Sequence, residues 1–99
     1  QVHTITHELA HVMDYRSGGR YSLQYYAKQP NWWHRKYSEH NPLENWAEGF
    51  TLWVYSRHHT AVGPYLAGSG ETFRPLTVAQ ARSINSVMQH ILPSPNLVE

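Results

Sequence analysis

The chain has 99 residues, of which 40% are hydrophobic and 13% aromatic, and its formal net charge is +1 at pH 7. This length allows one domain with one modest core, so we interpret residues 1–99 as a single domain. A charge this close to neutral gives no electrostatic reason to expect nucleic acid or an anionic membrane as a partner. No apolar run approaches the roughly 18 residues of a transmembrane helix. Because cysteine is absent, disulfides, thiolate nucleophiles and cysteine-ligated zinc are excluded.

The first predicted element is a helix over residues 2–14. Its apolar residues recur at spacings of three and four, which predicts a stripe that faces the core. The stripe consists of Val2, Ile5, Leu9, Val12 and Met13. A neighbouring polar face carries His3, His7, His11 and Asp14. We expect Gly18-Gly19 to end the element.

Residues 20–40 are rich in aromatic side chains and only loosely periodic, which favours one or two short helices interrupted at Pro30-Asn31. The run Trp32-Trp33-His34-Arg35-Lys36 has the composition of a basic-aromatic nucleic-acid patch. It stands alone in a nearly neutral chain, so we predict no nucleic-acid binding. The run is better interpreted as a wall of a cleft or as a packing cluster.

A clearer helix begins at Asn41-Pro42. Asn is a favoured N-cap, Pro suits the first helical position, and Glu44 falls at the third, as in a capping box. We expect this helix to run to about Arg57. Its predicted apolar face consists of Leu43, Trp46, Ala47, Phe50 and Val54.

Residues 58–76 contain three Gly and two Pro without a sustained period, which predicts a long loop that includes the surface pair His58-His59. Thr77 and Gln80 form a second capping signature, which opens a helix that ends before Pro93. We expect residues 94–99 to fray. The predicted inward side chains of this helix are Ala81, Ile84, Val87, Met88 and Ile91. Without a repeat or a long strand pattern, the chain is predicted to be mainly α.

The segment His7-Glu8-Leu9-Ala10-His11 carries the chemistry of this chain. Helix positions four apart lie on one face, so His7 and His11 can direct their imidazole nitrogens to one metal ion. Glu8 then sits beside the metal, where it can handle the proton of a bound water. A catalytic zinc takes three protein ligands and leaves the fourth position to water. The motif therefore predicts a zinc site that still needs one ligand.

The third ligand must come from another histidine or a carboxylate. The candidates are His3, Asp14, His34, His40, Glu44, Glu48, His58 and His59. Three histidines on consecutive turns would span roughly 12 Å, too far for one ion, which excludes His3. Glu44 and Glu48 are four apart on the next strong helix, so one could bind zinc while the other hydrogen-bonds a ligand histidine. Their structural alternatives are a capping role for Glu44 and ordinary solvation for Glu48.

Residues 41–50, with the sequence NPLENWAEGF, resemble the second motif of the zinc peptidases related to anthrax lethal factor and to the clostridial Pro-Pro endopeptidases. That motif reads Glu, two variable residues, Ala, Glu, one further residue and Phe. The resemblance implies that Glu44 is the third zinc ligand and that Glu48 is a supporting residue. It also implies that Tyr37, seven residues before Glu44, faces the substrate carbonyl, and that Asp14 matches an Asp three residues after the second His.

The resemblance covers roughly residues 3–57, and the helix over 77–92 matches the last helix of the family. The family commonly has Ala where this chain has Gly49. Its upstream sheet, whose edge strand aligns the substrate, has no counterpart in this chain. Because the motif helix starts almost at Gln1, we expect the chain to be a fragment or processed piece of a longer protein. A secreted location is suggested by the resemblance only.

We therefore predict the C-terminal, mainly helical part of a zincin-like metallopeptidase catalytic domain that binds one catalytic Zn²⁺ and hydrolyses a peptide or protein substrate. The predicted roles are His7, His11 and Glu44 as ligands, Glu8 as general base, Tyr37 as oxyanion donor, and Glu48 and Asp14 as supporting residues. Two alternatives stay open. One is a binding or structural module in which zinc holds two helices together, and the other is a zinc amidase or deacetylase that acts on a non-peptide bond.

Overall fold

The computed structural model describes residues 2–58 and 74–91. These residues form four α-helices and one short 3-10 helix, and no strand occurs among them, so the mainly α prediction is confirmed. The helices are α1 (Val2–Arg16), α2 (Arg20–Lys28), α3 (Pro42–His58) and α4 (Val78–Ile91), and the 3-10 helix is Lys36–Ser38. None of these helices is long and apolar enough to cross a membrane. The predictions for residues 59–73 and 92–99, including His59 and Pro93, lie outside the described residues.

Helix α3 is the centre of the packing, with α1, α2 and α4 all against it. Its residues 45–52 are buried on every side, as expected for a helix that neighbours surround. The buried hydrophobic core consists of Ala10, Tyr25, Trp46, Ala47, Phe50, Ile84 and Val87. The predicted apolar face of α3 is therefore correct at Trp46, Ala47 and Phe50. It is wrong at Leu43, which is 53% exposed because it lies in the first turn, before the buried stretch begins.

Helix α1 packs mainly through a face that the periodicity did not predict, although Met13 of the predicted stripe does pack against the core. Ile5, Leu9 and Val12 are 68%, 50% and 48% exposed, whereas Ala10 is fully buried. The small side chain of Ala10 lets α3 approach closely, and the indole Nε1 of Trp46 donates to the Ala10 carbonyl oxygen at 2.9 Å. Polar groups on this face also find partners across the interface, as described below, so their burial is compensated.

Two glycines end α1, as the sequence predicts. Gly18 and Gly19 have φ of +76° and +80°, a region that glycine adopts without steric penalty. The Gly19 N–H donates to the Asp14 carbonyl oxygen at 2.8 Å, which closes the end of the helix. The Asp14 carboxylate accepts from the Ser22 N–H at 2.9 Å, so the turn is tied to the start of α2.

The two predicted N-terminal caps are present. Asn41 Oδ1 accepts from the Glu44 N–H at 3.3 Å. The Thr77 hydroxyl oxygen accepts from the Gln80 N–H at 3.1 Å, and the Gln80 side-chain oxygen accepts from the Thr77 N–H at 3.0 Å. Helix α4 buries Ile84 and Val87 as predicted. Met88 packs against the core, as predicted. Ile91 is 41% exposed instead of inward, because the helix extends a full turn beyond Val87, its last buried core residue.

Candidate metal centre

His7, His11 and Glu44 meet where α1 packs against the first turn of α3. Glu44 Oε1 lies 2.9 Å from His7 Nε2 and 2.6 Å from His11 Nε2, and the two nitrogens are 3.2 Å apart. Donor atoms around a tetrahedral zinc with bonds of about 2.0–2.1 Å are separated by about 3.3 Å. The three atoms therefore fit around one ion after a small outward movement of Glu44.

The capping residue Asn41 explains why Glu44 is available to the histidines. A capping-box Glu returns its side chain to the backbone N–H of the cap residue. Here the Asn41 N–H donates instead to the Ser38 carbonyl oxygen at 3.1 Å. Helix α3 thus begins with its cap made by Asn41 alone, and the carboxylate of Glu44 points at α1.

Tyr37 completes the group of polar side chains around Glu44. Its hydroxyl donates to Glu44 Oε2 at 2.7 Å, and its ring centroid is 6.3 Å from that of His7. This hydrogen bond is the main reason that the pKa of Tyr37 is raised. Burial acts to raise the pKa of Glu44, but hydrogen bonds from Tyr37, His7 and His11 outweigh it, so the pKa is lowered. Glu44 is accordingly an ionised carboxylate.

Glu8 lies next to His7 on α1 and is exposed. One residue turns a helix by about 100°, so Glu8 stands beside the histidine pair on its solvent side. An open depression of about 490 Å³ adjoins the cluster, and His11 forms part of its wall. Tyr15 and Leu43 form part of its wall, and both are exposed apolar side chains.

Glu48 lies one turn further along α3 and points into the protein. Its residue is 1% exposed, and Oε1 accepts a hydrogen bond from Arg35 Nε. Burial raises the pKa of Glu48, although the Arg35 guanidinium opposes that shift. The sequence suggested that one carboxylate of the pair could hydrogen-bond a ligand histidine. The partner of Glu48 is instead Arg35, whose place in a basic run of the sequence does not indicate this contact.

Asp14 does not join the metal cluster, although it lies on the same helix. It is 2% exposed and holds the Ser22 N–H, as described above. Its carboxylate therefore braces the end of α1 against α2.

Asn45 is a site residue that sequence reasoning missed. Its Oδ1 accepts from the His34 N–H at 2.8 Å and from the Ser38 hydroxyl at 3.1 Å, and its Nδ2 donates to the Trp32 carbonyl oxygen at 3.0 Å. These bonds attach the segment that bears Tyr37 to α3. Nothing in the local pattern distinguishes Asn45 from a solvated helix residue, because its partners are all distant along the chain.

His34, one of the candidate ligands, is separate from the metal cluster. It is fully buried, its Nε2 lies 2.6 Å from Tyr25 Oη, and its Nδ1 lies 2.9 Å from the Arg74 carbonyl oxygen. A carbonyl can only accept, so Nδ1 carries the proton and Nε2 accepts from Tyr25. Burial lowers the pKa of His34 to about 4. The residue therefore belongs to a buried packing cluster within the basic-aromatic run.

Comparison with known proteins returned no match: no family model fits the chain, and no curated protein or solved structure is significantly similar to it. Among the described residues, one group of three or more potential metal ligands is present, namely His7, His11 and Glu44.

Proposed function

We propose that the protein is a zinc-dependent metalloendopeptidase whose zinc ligands are His7, His11 and Glu44. The convergence of two imidazole nitrogens and one carboxylate oxygen within 3.2 Å of one another carries this proposal. Two histidines and one carboxylate form a ligand set of catalytic zinc sites, which keep a fourth position for water. We also propose, from the motif resemblance, that the helices belong to a zincin-like catalytic domain.

The positions of the neighbouring side chains support the roles proposed for them. Zinc bound at this cluster would lower the pKa of its water to about 7 and polarise a carbonyl group. Glu8, exposed beside His7, would accept the proton of the attacking water and return it to the leaving amine. The hydroxyl of Tyr37, which is 53% exposed, would turn from Glu44 to donate to the oxyanion of the substrate.

Replacement of the general base tests this proposal. Glu8→Gln should lower the rate of peptide hydrolysis by about 10²–10⁴-fold, because an amide cannot accept the water proton. Zinc content and Tm should stay unchanged, since Glu8 is not a ligand. Glu39→Gln is the matched control, because Glu39 is also exposed but lies outside the cluster. Equal rates for the two variants would contradict the proposal.

The same assays distinguish the two alternatives. A wild-type protein that binds one zinc, melts at a higher temperature with it and cleaves no peptide would have a structural zinc between α1 and α3. Reproducible internal cleavage of a peptide library would exclude an amidase that acts only on non-peptide bonds.

The ligand assignment has its own test. An anomalous-scattering map at the zinc edge should show the ion within about 2.0–2.2 Å of His7, His11 and Glu44. An ion bound to Glu48 instead of Glu44 would overturn the assignment.

A further inference from the structure

Arg35 connects the buried Glu48 to the exposed Tyr37. Its Nε donates to Glu48 Oε1, and its guanidinium carbon lies 4.7 Å from the centroid of the Tyr37 ring. Tyr37 in turn donates to Glu44 Oε2 at 2.7 Å. A continuous series of contacts thus runs from the interior of α3 to the metal cluster.

Glu48 supplies the fixed end of this series. A carboxylate that is 1% exposed needs a charged or hydrogen-bonding partner to offset its loss of water. Arg35 provides that partner through Nε, which sets the direction of the guanidinium plane. The guanidinium carbon then lies over the Tyr37 ring, an arrangement that gives cation–π attraction.

The side-chain position of Tyr37 depends on a small number of contacts, chiefly the hydrogen bond to Glu44 and the Arg35 guanidinium. It stands on a three-residue 3-10 helix, and it is 53% exposed. The Asn45 hydrogen bonds to His34 and Ser38 hold the backbone of this segment. These backbone bonds do not fix the side-chain torsions of Tyr37, which depend on the contacts of its ring and hydroxyl.

We propose that Arg35 is a positioning residue that holds the Tyr37 hydroxyl at the metal centre. This inference rests on the proposed function, in which Tyr37 donates to the substrate. The competing explanation is that Arg35 only neutralises Glu48. Neutralisation needs only a positive charge near Glu48, whereas positioning also needs the guanidinium group over the Tyr37 ring.

Arg35→Lys separates the two explanations. A lysine ammonium reaches roughly the position of the arginine Cζ, one bond beyond Nε, which is still within ion-pair distance of Glu48. The planar guanidinium over Tyr37 is lost. Zinc content and Tm should be close to wild type. The value of kcat for a cleaved peptide should fall about tenfold or more with little change in KM, because the lost interaction acts in the transition state.

A double-mutant cycle with Tyr37→Phe shows whether Arg35 acts through Tyr37. Tyr37→Phe should lower kcat by about 10²–10³-fold, and adding Arg35→Lys should lower it no further. Arg74→Lys is the matched control, because the Arg74 guanidinium lies over Trp32 at 4.2 Å instead of over Tyr37. It should leave kcat unchanged. Two results would overturn the proposal. One is a wild-type kcat for Arg35→Lys. The other is that Arg35→Lys lowers kcat by the same factor in the Tyr37→Phe background as in the wild type.

Two further experiments apply if Arg35→Lys does not fold or if the wild-type protein cleaves no peptide. If Arg35→Lys does not fold, Arg35→Met combined with Glu48→Met removes both charges of the ion pair and is tested in the same cycle. If the wild-type protein cleaves no peptide, the proposed function fails, and fluorine NMR of 3-fluorotyrosine at position 37 tests the positioning. Arg35→Lys should then shift and narrow that resonance while Arg74→Lys leaves it unchanged. An unchanged resonance in Arg35→Lys would refute the role of Arg35.

Discussion

Replacing Gly49 with alanine should destabilise the protein although glycine is a poor helix residue. A Cβ at this position would overlap Oη and Cζ of Tyr25 and lie 3.0 Å from His34 Nε2. Tyr25 is 1% exposed, and its ring lies edge-on to Trp46 with centroids 5.7 Å apart. The tyrosine therefore cannot move aside without disturbing the core.

The size of the destabilisation follows from one favourable and two unfavourable contributions to the free energy of unfolding. Helix propensity favours alanine over glycine by about 1 kcal/mol. Displacing Tyr25 from its 2.6 Å hydrogen bond leaves the buried His34 Nε2 unpaired, which costs about 1–3 kcal/mol. Overpacking of the core costs about 1–3 kcal/mol more. The expected net loss is about 1–5 kcal/mol, opposite in sign to the prediction from propensity.

Urea unfolding of the metal-free protein measures this change. Ser86→Ala, at an exposed position of α4, serves as the control for propensity alone. Combining Gly49→Ala with Tyr25→Phe should cost less than the sum of the single changes, because both remove the same hydrogen bond. An increase of about 1 kcal/mol in the free energy of unfolding of Gly49→Ala, the value that propensity alone predicts, would refute the reasoning.

Three further outcomes are expected. The pKa of His34 is about 4 in the folded protein and about 6.5 in the unfolded chain. As pH falls from 6.5 to 4, the unfolded chain therefore binds a proton that the folded protein does not. The free energy of unfolding should fall by roughly 3 kcal/mol over this range. Urea unfolding of the metal-free protein at pH 7 and pH 4.5 should show a smaller drop for His34→Gln, and an identical drop would contradict the assignment. Glu44→Gln should weaken zinc binding more than about 100-fold in a competition assay, whereas Glu39→Gln should not; equal affinities would exclude Glu44 as a ligand. Ile5→Ser should change the free energy of unfolding by less than about 0.5 kcal/mol because Ile5 is 68% exposed, whereas Ile84→Val should cost about 0.5–1.5 kcal/mol; a larger cost at Ile5 would place that side chain in the core.

Local signals in the sequence were sufficient for most of the helix boundaries. The Asn41 cap, the reciprocal Thr77 and Gln80 bonds and the Gly18-Gly19 terminator each involve groups within a few residues of one another. Such interactions depend on the backbone of one turn, so a pattern can predict them. Gly49 was different, since the reason for its missing side chain is a tyrosine on another helix.

The orientation of α1 could not be predicted in the same way. Periodicity identifies an apolar stripe but does not say which face will be covered. Ile5 and Leu9 of that stripe are exposed, and Met13 at its edge packs against the core. The buried face is instead the one where Ala10 accepts from Trp46 and Asp14 accepts from Ser22. Their partners come from two other helices, so only the packed arrangement of α1, α2 and α3 decides that face.

The order of the residues was enough to place His7 and His11 on one helix face, because four residues make about one turn. It also identified Glu44 and Glu48 as a carboxylate pair on the next strong helix. The packing of the helices was needed to show that these two carboxylates take different partners, Glu44 with the histidines and Tyr37, and Glu48 with Arg35. The physical reason is that each pairing joins residues of different elements, whose separation depends on how α1 and the segment before α3 pack against α3.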